Sequence, residues 1–160
     1  MKAVTIKQLK DELGHKSAYE LKELCLHLAR FKKENKELLT YLMFESLDED
    51  AYVEKIKEEI DEQFNTINTY SFYYIRKSVR KILTSIKKHI RYSKKKETEA
   101  ALLLYFCTKL KELKPSIKRS TRLLSIFETQ VRMIQKAIAK LHEDLQYDFE
   151  LELTKLLDDE

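Results

Sequence analysis

Phe72-Tyr-Tyr-Ile-Arg-Lys-Ser-Val-Arg-Lys-Ile-Leu-Thr-Ser-Ile-Lys-Lys-His-Ile-Arg-Tyr92 carries the clearest periodicity in the chain. At ~100° per residue, Phe72, Ile75, Val79, Ile82, Leu83, Ile86 and Ile90 fall on one face, which is the period of an amphipathic helix rather than of a strand. The same spacing recurs on both sides of this stretch. Leu21, Leu24, Cys25, Leu28 and Phe31 form one stripe, and Leu38, Leu39, Leu42 and Met43 a second. Val53, Ile56, Ile60, Phe64 and Ile67 form a third, and Ala101, Leu104, Tyr105, Thr108 and Leu110 a fourth. Leu123, Leu124, Phe127, Val131, Ile134, Ile138 and Leu141 make the last long one. With one glycine and one proline in 160 residues, the chain lacks the positive-φ positions that hairpin-rich folds require. These features predict an all-α fold, an antiparallel helical bundle or a short α-α superhelix of about six to seven helices. Its length suits a single helical domain over 1–160.

Local signals place the helix ends. Thr5-Ile-Lys-Gln8 and Ser17-Ala-Tyr-Glu20 have capping-box spacing, and Gly14 between them is expected to end the first helix as a left-handed cap. A helix from about Asn35 follows the Lys32-Lys33 pair, and Asp48, Glu49 and Asp50 favour a start by their charge against the helix dipole. Asn68 or Thr69 is expected to open the central helix, and Pro115 to follow the end of the next one. Tyr147 to Thr154 alternates apolar and polar residues as a strand does, but Leu145, Phe149, Leu153, Leu156 and Leu157 also fit one helical face. Helix is the preferred reading there, because a lone strand has no partner.

Several chemistries are absent from the motif inventory. Phosphate-cradling loops, dinucleotide fingerprints and nucleophile elbows need two or three glycines at fixed spacing, and only Gly14 is present. His142-Glu143 opens like a zinc-protease motif, but Gln146 stands where the second histidine belongs. Glu12-Leu-Gly-His15 has the Glu-x-x-His spacing of carboxylate-bridged metal bundles, in a single copy that straddles Gly14. Glu23 and His27 read as an exposed helical pair, and His89 as a partly buried, hydrogen-bonded side chain. No catalytic, cofactor-binding or metal-ligating residue is assigned, and no cofactor is expected. Cys25 and Cys107 lie in apolar helical stripes and are expected to be buried, reduced thiols. The longest apolar run, Ala100 to Cys107, is far short of the ~20 residues that span a bilayer. No membrane partner is expected. The amino terminus reaches Lys10, Asp11 and Glu12 before any signal-like apolar stretch, so the expected location is cytoplasmic.

Charge placement is the one strong anomaly. Residues 1–62 carry 11 basic and 15 acidic groups, residues 63–142 carry 19 and 4, and residues 143–160 carry 1 and 8. No acidic residue stands between Glu62 and Glu97, a stretch that holds Arg76, Lys77, Arg80, Lys81, Lys87, Lys88, Arg91, Lys94, Lys95 and Lys96. The seven cations of the central helix fall on one flank of its apolar face, with Tyr74, Ser78, Ser85 and Tyr92 on the other. Such a stripe can track a phosphate backbone, dock an acidic protein surface, or face the chain's own acidic segments, Glu45 to Glu62 and Glu143 to Glu160. The flanking acidic segments make the last the first expectation. Tyr70, Phe72, Tyr73 and Tyr74 do not decide among the three, since aromatics at a helix start more often join a core.

The function this supports is a non-enzymatic helical protein-interaction domain acting through a surface, with an acidic protein surface or self-association as the partner. The alternative is a nucleic-acid-binding protein that uses the basic stripe over 76–96. A second alternative is an enzyme whose site leaves no local motif.

Overall fold

The computed structural model describes residues 1–158, and these are 81% helical with no strand. Eight α-helices form among the described residues, more than the six to seven expected. The chain divides into two compact units, Met1–Phe44 and Glu45–Glu160.

The first unit holds α1 (Ile6–Leu13), α2 (Ala18–Phe31) and α3 (Lys33–Met43). Both expected capping boxes form. The Thr5 hydroxyl accepts the Gln8 amide at 3.2 Å, and the Ser17 hydroxyl accepts the Glu20 amide at 3.2 Å while Glu20 Oε2 accepts the Ser17 amide at 2.9 Å. Each pair satisfies donors that a helix start leaves open. Gly14 departs from expectation, since its φ of −63° is right-handed helical and its amide donates back to Lys10 at 3.1 Å. Glycine weakens the helix here by its backbone entropy rather than by a left-handed turn. One extended residue, Lys32, separates α2 from α3, and Asn35 Nδ2 donates to the Leu28 carbonyl at 2.8 Å, closing part of the α2 carboxyl end. Helices α2 and α3 pack on each other. Neither α1 nor α2 buries any residue, and α3 buries only Tyr41.

The second unit contains the core. It comprises α4 (Glu49–Asn65), α5 (Phe72–Ser93), α6 (Lys96–Lys111), α7 (Thr121–Ile138) and α8 (Glu143–Asp158), with 3-10 turns at Glu45–Leu47 and Ile117–Arg119. Asp48 starts α4 by accepting the Ala51 amide at 3.1 Å, and Ser120 starts α7 by accepting the Leu123 amide at 3.4 Å. Helix α5 opens at Phe72 rather than at 68 or 69, so the segment ahead of it, held by the Asn68 side chain accepting the Tyr70 amide at 2.9 Å, is a turn. It ends at Lys94, which takes the left-handed conformation at φ 59° and donates its amide to Ile90 at 2.8 Å. Helix α6 packs against α4, α5, α7 and α8, and Ala100, Leu102, Leu103, Leu104, Phe106, Cys107 and Leu110 are all buried along it. The longest apolar run of the sequence is thus the middle of the second unit, as an all-round apolar helix must be in water. Ile56 and Ile60 of α4, Ile75, Val79, Ile82 and Ile86 of α5, and Leu123, Ile134 and Ile138 of α7 join it in the core. The tail is helical over 147–154, burying Leu153 and Leu156, whereas Leu157 of the expected face is exposed.

Cys107 is buried and free, as expected, but Cys25 is exposed. It lies in α2, which buries nothing, so an apolar stripe in the sequence does not by itself enclose a thiol. No helix among the described residues is long and apolar enough to cross a membrane.

Candidate functional site

The ten expected cations do not share one environment. Lys95 and Lys96 are engaged at the turn after α5. Glu49, at the start of α4, accepts the Ser93 hydroxyl and the Thr98 hydroxyl (2.6 Å) on Oε1 and faces Lys95 Nζ at 3.6 Å on Oε2. Lys96 Nζ pairs with Glu99 at 2.7 Å. Behind the stripe, α5 is fixed to α4 by the Tyr52 hydroxyl at 3.0 Å from His89 Nδ1, with Glu59 3.5 Å from His89 Nε2. His89 is therefore the hydrogen-bonded, partly buried side chain expected.

Among the described residues no carboxylate lies within ion-pair distance of Arg76, Lys77, Arg80, Lys81, Lys87, Arg91 or Lys94. Lys77, Arg80, Lys81, Arg91 and Lys94 are exposed, while Arg76, Lys87 and Lys88 are half-buried. At the Lys95 end the stripe faces Glu49 of the segment Glu45 to Glu62, while the seven cations just named have no carboxylate of either acidic segment within ion-pair distance among the described residues; Asp159 and Glu160 lie outside these residues. Carboxylates of the first acidic segment are engaged elsewhere: Glu45 with Lys55, Glu49 at the α5–α6 turn, Glu59 beside His89, and Asp61 with Tyr105 and Lys109.

The cations of α5 form two rows at helical spacing, Arg76–Arg80–Lys87–Arg91 and Lys77–Lys81–Lys88, with Thr84 the neutral residue between them. From Arg76 to Lys94 the face extends about 27 Å at 1.5 Å per residue. At its amino-terminal end stand three tyrosines whose placement the sequence alone leaves open. Tyr70, Tyr73 and Tyr74 are 88%, 59% and 42% exposed, and their rings meet edge to face, with centroids 6.3 Å apart for Tyr70–Tyr74 and 5.3 Å for Tyr73–Tyr74. They are outside the core. Phe72 is half-buried, with the Arg119 guanidinium 5.9 Å from its ring centre. The sequence does hold a signal for Tyr73: it precedes Lys77 by four residues and so shares the cationic face.

A second cluster bears on the enzyme alternative. A groove of about 410 Å³ runs between α4, α6 and α8, lined by Glu49, Glu54, Lys57, Tyr105, Phe149 and Glu152 among others. Beside it the Tyr105 hydroxyl donates to both oxygens of Asp61 at 2.7 Å, Lys109 reaches Asp61 at 3.0 Å, and Lys57 and Lys109 each stand 5.5 Å from the Tyr105 ring centre. Burial alone raises the Asp61 carboxyl, but the hydrogen bonds from Tyr105 and Lys109 outweigh it and hold it below its ordinary value. Burial and Asp61 push Tyr105 up, and the hydrogen bond to Asp61 pushes Lys109 up. All three shifts lead away from neutrality, whereas a general acid or base works best with a pKa near the operating pH. The cluster is built as a structural clamp between α4 and α6. No group of three or more histidine, cysteine, aspartate or glutamate side chains suited to a metal occurs among the described residues, and Glu12 with His15 belongs to none.

In comparisons with known proteins, no family model, no curated protein and no solved structure matches the chain.

Proposed function

We propose that this protein is a non-enzymatic helical interaction domain that works through the cationic face of α5, and that the partner of this face is a nucleic-acid backbone. The observation that carries the reading is the set of seven cations without a carboxylate partner. Cations left open over about 27 Å of one helix gain most from a ligand that offers regularly repeated negative charge and releases counterions on contact. Composition favours nucleic acid over an acidic protein. Protein interfaces have an apolar centre depleted of charge, whereas protein–DNA interfaces are polar and strongly positive. Between Arg76 and Lys94 the exposed side of α5 has no apolar centre. Exposed tyrosines at one end add faces on which unpaired bases can stack.

The same proposal keeps residues 1–160 as one domain and leaves the second unit as a helical bundle or a short α-α superhelix. Helix α6 packs on the two helices before it and the two after it, an arrangement that both architectures allow.

The test is fluorescence anisotropy with labelled DNA and RNA, single- and double-stranded, over a series of salt concentrations. Binding should weaken steeply with salt. The triple variant Arg80→Glu/Lys87→Glu/Arg91→Glu should lower both affinity and slope, the slope by about 0.9 for each duplex phosphate that is no longer neutralised. Because these three cations have no internal carboxylate partner, the variant should melt no lower than the unmodified protein. Absence of binding at low salt, or a variant that binds equally well, overturns the reading.

A further inference from the structure

The first unit presents a different problem. Its helices α1 and α2 together span 22 residues and bury none of them. Ile6, Leu9, Leu13, Leu24, Leu28 and Phe31 are 80%, 45%, 43%, 43%, 57% and 79% exposed. At about 200 Å² for a large side chain, these six leave roughly 700 Å² of apolar surface in water, about half of it on α2. A stable interface takes ~800 Å² from each partner, apolar and polar surface together, of which somewhat more than half is apolar. Isolated helices of this length are marginal in water and owe their stability to packing of an apolar face, so well-capped helices with an uncovered face call for an occupant.

We propose that a second copy of this chain covers the α2 face, in a two-fold, antiparallel pairing of α2 with α2. The argument for a second copy is the charge beside the stripe. Glu23, Leu24, His27 and Arg30 line one shallow surface depression along α2, so the acid and the base lie on the same flank of Leu24 and Leu28. Neither Glu23 nor Arg30 has an ion-pair partner among the described residues. In an antiparallel pair, flanks of the same hand face each other. The register that sets Leu24 of one copy against Leu28 of the other brings Glu23 to within one residue of the opposite Arg30, and the two-fold axis repeats the contact. The surface is therefore complementary to itself in both apolar pattern and charge. This pairing is independent of the α5 reading, since it uses no residue of that face.

Sedimentation velocity of the full chain, from low to high micromolar concentration, tests it. The unmodified protein should be a dimer. Leu24→Asp/Leu28→Asp should sediment as a monomer with its far-ultraviolet helicity largely kept, because neither side chain is buried within the chain. Glu23→Arg alone and Arg30→Glu alone should each raise the dissociation constant about tenfold, since symmetry places each new like-charge contact twice. The double variant Glu23→Arg/Arg30→Glu should restore the dimer, because exchanging both signs recreates the pair. An unmodified protein that is monomeric throughout overturns the proposal, and in that case a lower melting temperature for Leu24→Asp/Leu28→Asp would show the face to be covered from within the chain. A dimer that the leucine variant leaves intact, or a double variant that does not recover, also overturns it.

Discussion

At the scale of single residues, the two cysteines show how far a sequence stripe can be trusted. Both occupy apolar positions of helical pattern, yet Cys107 is buried in α6 while Cys25 is exposed on α2. Periodicity tells which face of a helix is apolar, and only packing tells whether that face is covered. Burial pushes the Cys107 thiol up to about 12, so at neutral pH it holds essentially no thiolate, the reactive form. Native protein should therefore release one equivalent with a disulfide reagent quickly and the second only on unfolding. Two fast equivalents would show that α6 is not enclosed as described. If α2 pairs with a second copy, dilution below the dimer range should leave Cys25 at least as fast. The ten cations are legible in the sequence as a group, but the separation of Lys88, Lys95 and Lys96 from the seven without a carboxylate partner depends on where the other side chains lie in space.

Helices are legible as elements because each carries its own period and most carry their own caps. Thr5 and Ser17 cap as their spacing implies, and Asp48 caps where the charge of the acidic run favours a helix start. The ends that spacing does not place are those without such signals: α5 starts after Ser71 with no side-chain cap, and α6 follows Lys95, again with none. The carboxyl end of α5 is closed instead by Lys94 at φ 59°, where a side chain meets the steric cost that glycine avoids. Lys94→Gly should therefore raise stability by about 1 kcal/mol, read as a shifted denaturant midpoint with an unchanged slope. Because Lys94 also belongs to the open face, the same variant should bind nucleic acid somewhat more weakly. A fall in stability would mean that the lysine stem contributes packing that outweighs the strain.

Across the whole molecule, the sequence distributes apolar residues evenly while the structure gathers burial in the second unit. The stripe on α2 looks no weaker in sequence than those on α4 or α5, yet α2 buries no residue while α4 and α5 each bury several. Helix content and class can be read in advance because they depend on local spacing and on the near absence of glycine. The partition into two units cannot, because it depends on which stripes meet. Nor can the open stripe. Its acidic flanks are adjacent in sequence, yet Asp61 lies with Tyr105 and Lys109, and Glu59 beside His89.

The cations left open on α5 have a thermodynamic consequence for the free protein. Arg76 and Arg80, Lys77 and Lys81, and Lys87 and Arg91 are like charges four residues apart, each pair costing a helix a few tenths of a kcal/mol in dilute salt. With no counter-charge against them, the helix works against its own electrostatic pressure, and the core must hold it folded regardless. Any polyanion that settles there relieves this pressure as well as binding, so occupancy and folding are linked. The protein should therefore melt higher with added neutral salt, and higher still with a short nucleic acid at low ionic strength. Differential scanning fluorimetry reads both, and a melting temperature that falls as salt first rises would mean that attraction, rather than repulsion, governs this surface.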